Sequence, residues 1–164
     1  EVAVDMGEAL IGEKRAAIEV CGEQLDWMDV DMGNPHAVMF MRPTIEVIDA
    51  IGAELNGGHE AFPHGVNAEF VVDTGDALDV VVYERGVGRT QACGTGACAV
   101  AAAAWRQGIR DVEDGPVVVK LPGGPLEIEV RAGHVWMTGP AEHVFTGALA
   151  SAAIDVSVDG SAGE

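Results

Sequence analysis

Short apolar segments, several of them alternating strictly with polar residues, recur along this chain and are typical of β-strands. Turn sequences rich in glycine, proline and aspartate separate them, among them Asp73-Thr74-Gly75-Asp76 and Pro122-Gly123-Gly124. The last three strands follow one another closely and form a predicted meander. The predicted strands are residues 2–6, 16–21, 25–32, 37–41, 66–72, 78–83, 117–121, 126–130 and 134–138.

Two segments have a helical pattern instead. Residues 45–55 begin after Pro43-Thr44 and place apolar residues on one predicted buried face, namely Ile45, Ile48, Ile51 and Leu55. A second helix begins at Cys93, contains the alanine-rich run 99–104, and extends to about Gln107, where Gly108 ends it.

Many strands with one central alanine-rich helix favour an α+β fold, in which a mostly antiparallel curved sheet or barrel is wrapped around that helix. Alanine side chains are small, so they allow helix and sheet to approach closely. We predict one domain over residues 1–158, which includes a last apolar segment at 144–158, and a loose tail at 159–164.

Composition narrows the function. The chain has 164 residues and a formal net charge of −18, which argues against nucleic-acid binding and favours a solvated acidic surface, a feature that also fits adaptation to salt. No apolar run is long enough to cross a bilayer, and no secretory leader is visible, so no membrane contact is expected. Three cysteines are an odd number and indicate a reducing compartment, the cytoplasm, rather than a disulfide framework.

Cys93 is the first candidate for chemistry, because it lies where the second helix begins. Unpaired N–H groups and the helix dipole at this end attract anions and should lower the pKa of the thiol. Such a thiol can exchange a proton with a carbon atom next to a carboxylate. The alternative is a buried, inert thiol, which is the interpretation we favour for Cys98 inside the same helix.

Other polar residues stand where loops meet strands. Asn34 precedes a proline, and Asn67 begins a strand, so their amides could hold a ligand. Taken alone, however, Asn34 is better explained by an ordinary Asn-Pro turn, and the signal at Asn67 is weak as well. Glu84 and Arg85 end a strand and could bind an ammonium and a carboxylate, or form an exposed ion pair of little value. His36 could orient a neighbouring group. No metal site, nucleotide-binding motif or pyridoxal lysine is apparent, so no cofactor is expected.

Taken together, these segments resemble the diaminopimelate epimerases of lysine biosynthesis. The resemblance covers about residues 2–147, and the matching segments keep their order and spacing. They are Met32-Gly33-Asn34-Pro35-His36-Ala37-Val38, Phe62-Pro63, Val66-Asn67, Glu84-Arg85-Gly86-Val87-Gly88, Ala92-Cys93-Gly94-Thr95-Gly96-Ala97 and Met137-Thr138-Gly139-Pro140-Ala141.

The resemblance implies a site between two similar lobes, without cofactor or metal, where one cysteine removes the α-proton and another returns a proton on the opposite face. Cys93 would be the catalytic cysteine of the second lobe, and the substrate would be the small amino acid diaminopimelate. The implied binding residues are Gly94 and Thr95 for the α-carboxylate, Asn34, Asn67 and Arg85 for other polar groups, and Glu84 near the amine with His36 beside it.

The first lobe of that family, with its own cysteine, has no counterpart in this sequence, since neither Cys21 nor Cys98 has the expected context. Three interpretations follow. The chain is the C-terminal lobe of an epimerase whose other half is missing here; or two copies pair into a racemase-like homodimer; or the lobe is a non-catalytic binding module. The start at Glu1, without methionine, favours the first.

Overall fold

The computed structural model describes the backbone of residues 1–148 and all their side chains except those of 14–18. A short 3₁₀ turn covers Val112–Asp114. The two helices are α1 (Ile45–Asn56) and α2 (Gly94–Arg106). The strands are β1 (Val2–Asp5), β2 (Leu10–Val20), β3 (Glu23–Asp31), β4 (Pro35–Met39), β5 (Asn67–Asp73), β6 (Leu78–Glu84), β7 (Gly88–Arg89), β8 (Val117–Leu121), β9 (Gly124–Arg131) and β10 (His134–Gly139).

Within these residues the strands form one curved sheet in the order β1-β10-β9-β8-β6-β5-β4-β3-β2, with β7 added beside β6. Neighbouring strands are antiparallel except for the β4–β5 and β6–β8 pairs. The predicted α+β class and mostly antiparallel sheet are therefore confirmed. The predicted barrel is not closed, because β1 and β2 are the two ends of the sheet and do not pair with each other.

Helix α2 fills the inner face of this sheet. Every residue from Gly96 to Ala104 is buried, so the helix is surrounded on all sides, as expected for a central helix. The side chains packed around it come from alternate positions of the strands, such as Val38, Val80 and Val119. The small alanines let the backbone of the helix lie close to the sheet, which fixes the position of its first turn.

Helix α1 covers the opposite face, where Ile48, Ile51 and Leu55 pack against a separate core that includes Phe70. The prediction that Ile45 shares this buried face is wrong, because its side chain is 40% exposed. Ile45 is the first residue of the helix, and its side chain extends past the packed part of the face.

Two further segments differ from the sequence-based predictions. Strand β2 begins at Leu10, well before residue 16, and its pairing with β3 shifts register twice. These irregularities break the alternation by which a strand is recognised. At the other end of the chain, Val144 and Phe145 are exposed and residues 140–148 form no helix or strand. The rest of the predicted apolar segment 144–158 and the tail 159–164 lie outside the described residues.

Candidate active site at the start of helix α2

Cys93 is the N-cap residue of α2, as predicted. Its backbone is extended, with a φ of −140° and a ψ of 105°, and its Sγ accepts a hydrogen bond from the Gly96 N–H over 3.4 Å. The Cys93 carbonyl oxygen accepts the bond from Ala97 N–H that begins the helix. Because the first turn of a helix has no preceding carbonyls, the N–H groups of Gly94 and Thr95 have no intrahelical partner.

The two glycines of the Gly94-Thr95-Gly96 sequence lie in crowded surroundings. A Cβ on Gly96 would lie 2.9 Å from Glu69 Oε1 and 3.2 Å from Cys93 Sγ. A Cβ on Gly94 would lie 3.1 Å from the Met137 Sδ on β10. The helix can therefore begin directly against a carboxylate and a thiol because position 96 carries no side chain, whereas a side chain at position 94 would meet only the end of the Met137 side chain.

The Cys93 thiol has a raised pKa, which is the opposite of the direction predicted from the helix terminus. Burial is the main cause, and the nearby Glu69 and Glu84 carboxylates raise the pKa further. Hydrogen bonds from Thr95 and Gly96 act in the other direction without outweighing burial. Cys98, predicted to be a core residue, is fully buried, and burial raises its pKa to about 12.

A chain of polar contacts leads away from the sulfur. The Thr95 hydroxyl lies 3.6 Å from Cys93 Sγ, and its oxygen is 3.4 Å from the Asn34 Nδ2 that donates to it. Asn34 Oδ1 lies 3.0 Å from His36 Nε2. His36 Nδ1 is in turn 2.6 Å from Glu69 Oε1. The fold thus brings Asn34 and His36 beside Cys93 and Thr95, a pair that is distant from them in the sequence.

Glu69 is the member of this chain that the sequence analysis missed. It lies on β5 between the buried residues Ala68 and Phe70, and its own side chain is fully buried. Its alternation with apolar neighbours resembles that of an ordinary solvent-facing strand residue. The signal that could have identified it is the two-residue period of the strand. Residue 69 lies on the same face of the sheet as Val71, and that face packs against α2.

Asn67 begins β5, as predicted, but both ends of its amide bond to the main chain. Its Nδ2 donates to the Pro35 carbonyl over 3.0 Å, and its Oδ1 accepts from the Arg85 N–H over 2.9 Å. Asn67 therefore holds the start of β4 and the end of β6 in place. Arg85 itself is exposed, and its Cγ would lie 3.2 Å from a Cβ placed on Gly65.

Glu84 lies at the end of β6, in register with the inner-face residues Val80 and Val82. Its Oε1 accepts a 2.5 Å hydrogen bond from the Thr90 hydroxyl. Within residues 1–148 no ion pair joins it to Arg85, so the predicted alternative of an exposed ion pair does not apply. Its influence on the pKa of both Cys93 and Glu69 places its carboxylate near the two.

The described residues lack both a metal-binding cluster and a membrane-spanning helix. No group of three or more histidine, cysteine, aspartate or glutamate side chains in residues 1–148 is arranged to hold a metal ion. No helix in the same range has the length and apolar character needed to span a membrane.

Structures with this fold include known and probable amino-acid racemases. The probable proline racemase of Agrobacterium radiobacter K84 superposes with a TM-score of 0.68 at 16% identity, over 94% of this chain and 54% of that one. A hydroxyproline epimerase of Agrobacterium vitis gives a TM-score of 0.57 at 19% identity, over 82% and 48%. At these identities the likeness shows the fold alone.

Sequence relatives are more informative. The chain is 42% identical to the diaminopimelate epimerase of Synechococcus elongatus, over 93% of this chain and 59% of the relative. It is 40% identical to the chloroplastic diaminopimelate epimerase of Oryza sativa subsp. japonica, over 90% and 48%. The chain thus spans about half of the length of these curated relatives. The profile of the family described as diaminopimelate epimerase matches residues 28–144, and the chain belongs to that family.

Proposed function

We propose that this chain provides one half of a cofactor-independent active site that converts LL-diaminopimelate to meso-diaminopimelate in lysine biosynthesis. The observation that carries the proposal is the Cys93 sulfur at the N-cap of α2, directly beside the unpaired N–H groups of Gly94 and Thr95. A carboxylate bound to those N–H groups would hold its α-carbon next to the sulfur. The match to the family described as diaminopimelate epimerase supports the choice of substrate.

The protonation state of the Cys93 thiol determines whether it first donates or first accepts a proton. Because its pKa is raised, Cys93 is protonated at neutral pH and acts first as a proton donor. A base on the far side of the substrate takes the α-proton, and the electron pair remains on the α-carbon. The Sγ–H bond then breaks, its proton goes to that carbon, and the resulting thiolate accepts hydrogen bonds from Gly96 N–H and the Thr95 hydroxyl.

The opposing base is not another cysteine of this chain. Cys98 is completely buried within α2, and Cys21 is an exposed residue whose thiol donates to Glu54 Oε2 over 3.0 Å. Inversion requires groups on opposite faces of one carbon, so a single thiol does not suffice. We propose that the second group comes from the part of the longer relatives that this chain does not match.

The remaining site residues would bind the rest of the substrate. Glu84 presents a carboxylate to the amine, Arg85 has a guanidinium for the distal carboxylate, and Asn34 holds its amide beside Thr95. Asn67 acts indirectly, by fixing the backbone of Arg85. The three cysteines are all free, which supports a reducing compartment such as the cytoplasm.

The test follows exchange of the α-proton of diaminopimelate in heavy water by ¹H NMR. This chain is incubated alone, and with the separately produced first half of the Synechococcus elongatus relative. We expect exchange only in the mixture, and we expect Cys93→Ala to abolish the appearance of the meso isomer. Cys21→Ser is the matched control and should leave the rate unchanged.

Two results would contradict the half-site proposal. Exchange by this chain alone, rising with the square of its concentration and lost in Cys93→Ala, would show a self-paired racemase-like dimer. Binding of diaminopimelate without exchange in any mixture, including one with the first half, would show a non-catalytic binding module.

A further inference from the structure

We propose that Glu69 is a positioning residue that sets the direction of the hydrogen-bond chain from His36 through Asn34 and Thr95 to Cys93. The geometry of the chain is independent of the function, whereas its effect on proton transfer rests on the function proposed above. Among the described residues Glu69 has a side-chain hydrogen bond to His36 and none to the sulfur, so it acts through its neighbours.

The contact between Glu69 and His36 is short and completely enclosed. Glu69 Oε1 lies 2.6 Å from His36 Nδ1, and neither side chain is exposed to any degree. The other carboxylate oxygen, Oε2, is buried and has no hydrogen-bond partner among the described residues. A fully charged carboxylate with a bare oxygen is costly to bury, and burial raises the pKa of Glu69 to about 7.

The neighbouring amide determines which nitrogen of His36 carries a proton. Asn34 directs its Nδ2 towards Thr95, so its Oδ1 faces His36 Nε2. A carbonyl oxygen only accepts, and therefore Nε2 must carry a hydrogen. Nδ1 then either accepts a proton from neutral Glu69 or donates one to its carboxylate. In both cases Glu69 and His36 together hold one proton between them in addition to the one on Nε2.

Removal of that shared proton exchanges the donor and acceptor roles in the hydrogen bonds from His36 through Asn34 to Thr95. The carboxylate then needs a donor, so the remaining hydrogen of His36 moves to Nδ1 and Nε2 becomes an acceptor. Asn34 must turn its amide to donate to Nε2, which directs Oδ1 at Thr95. The Thr95 hydroxyl donates to that oxygen and no longer to the sulfur, so the Cys93 thiolate loses one of its hydrogen bonds.

Charged and titratable groups from three elements face Glu69 and affect whether the shared proton is retained. His36 faces Glu69 from β4, Glu84 acts on it from the end of β6, and Cys93 faces it from the start of α2. Glu84 is a like charge and opposes ionisation of Glu69. The arrangement therefore favours the protonated pair, and with it the direction of the chain that supports a thiolate at Cys93.

The first measurement is the tautomer of His36, read from its ¹⁵N chemical shifts between pH 6 and 9 in the 164-residue chain. In the unmodified protein we expect the hydrogen to move from Nε2 to Nδ1 as the pH rises. In Glu69→Gln, which cannot ionise, Nε2 should keep its hydrogen throughout. His134, an exposed histidine paired with Asp5, is the internal control in the same spectra.

The second measurement is the rate at which iodoacetamide alkylates Cys93 at pH 8, in a Cys21→Ser background. Glu69→Gln should react about tenfold faster, the effect of one additional hydrogen bond to a charged sulfur. Removing a negative charge would also speed the reaction, so the gain is measured again with Thr95→Val present. We expect the gain to fall there to the part that the charge alone contributes, because valine has no hydroxyl through which the change could reach the sulfur.

The proposal is overturned by any of three results: a His36 tautomer that does not change with pH in the unmodified chain, a gain below threefold, or a gain that is as large with Thr95→Val as without it. Neither measurement uses a substrate, so failure of the epimerase proposal would leave both results intact. Circular dichroism confirms that each variant is folded, and Glu69→Gln preserves the shape of the side chain.

Discussion

Replacing Gly52 with alanine should destabilise the protein, although the position is in the middle of helix α1, where alanine is the better helix former. Helix propensity alone would stabilise the variant by about 1 kcal/mol. The added Cβ, however, would lie 2.3 Å from Cγ of the Tyr83 ring and 2.4 and 2.6 Å from its two Cδ atoms. Relieving these contacts requires the ring and helix to separate by about 1 Å, at the upper end of the roughly 1–3 kcal/mol that overpacking costs.

The net loss in the free energy of unfolding is therefore about 2 kcal/mol, or a Tm lower by about 4–8 °C for a chain of this size. Urea unfolding followed by circular dichroism measures it. The control combines Gly52→Ala with Tyr83→Ala. Without the ring, Ala in place of Gly52 should make the protein about 1 kcal/mol more stable than Tyr83→Ala alone. A Gly52→Ala protein as stable as the parent would refute the packing argument. Since Tyr83 directly precedes Glu84, the same shift should also disturb the candidate active site.

Three further outcomes are expected. In a Cys21→Ser background, iodoacetamide should alkylate Cys93 more slowly than free cysteine at pH 8, because burial raises the pKa of the Cys93 thiol. Cys98 should remain unmodified in the folded chain, and peptide mass spectrometry measures both. Gly96→Ala should lower the Tm by more than Gly94→Ala, since the first meets a buried carboxylate and the second a flexible thioether; equal melting temperatures would contradict this. Sodium chloride at about 1 M should raise the Tm by screening repulsion within a chain of net charge −18, and a salt-independent Tm would argue against that repulsion.

The sequence predicted the location of Cys93 well because the signal is local. A glycine turn followed by an alanine run defines a helix start wherever it packs, and Cys93 is indeed the N-cap of α2. The direction of the pKa shift of the Cys93 thiol was predicted wrongly, because burial and the neighbouring carboxylates depend on residues far away in the sequence. Glu69 lies on β5 and Glu84 on β6, and only the folded sheet brings them to the first turn of the helix.

The difference between local sequence signals and long-range contacts also explains the other results. Strands with regular alternation were predicted within a residue or two, whereas the start of β2 was missed where its pairing with β3 is irregular. Asn67 was correctly expected at a strand entry, but the sequence could not reveal that its amide is taken up by the backbone of Pro35 and Arg85. Residue type and spacing identified the candidates, and long-range hydrogen bonds determined what each one does.

The complete enclosure of Gly96–Ala104 has a consequence for how this protein folds. A run of alanines that touches protein on every side gains most of its stability from the strands around it, and those strands are joined by long-range pairings. Helix α2 and the sheet should therefore form in a single cooperative step, and the amide hydrogens of these residues should exchange with solvent only when the whole described domain opens.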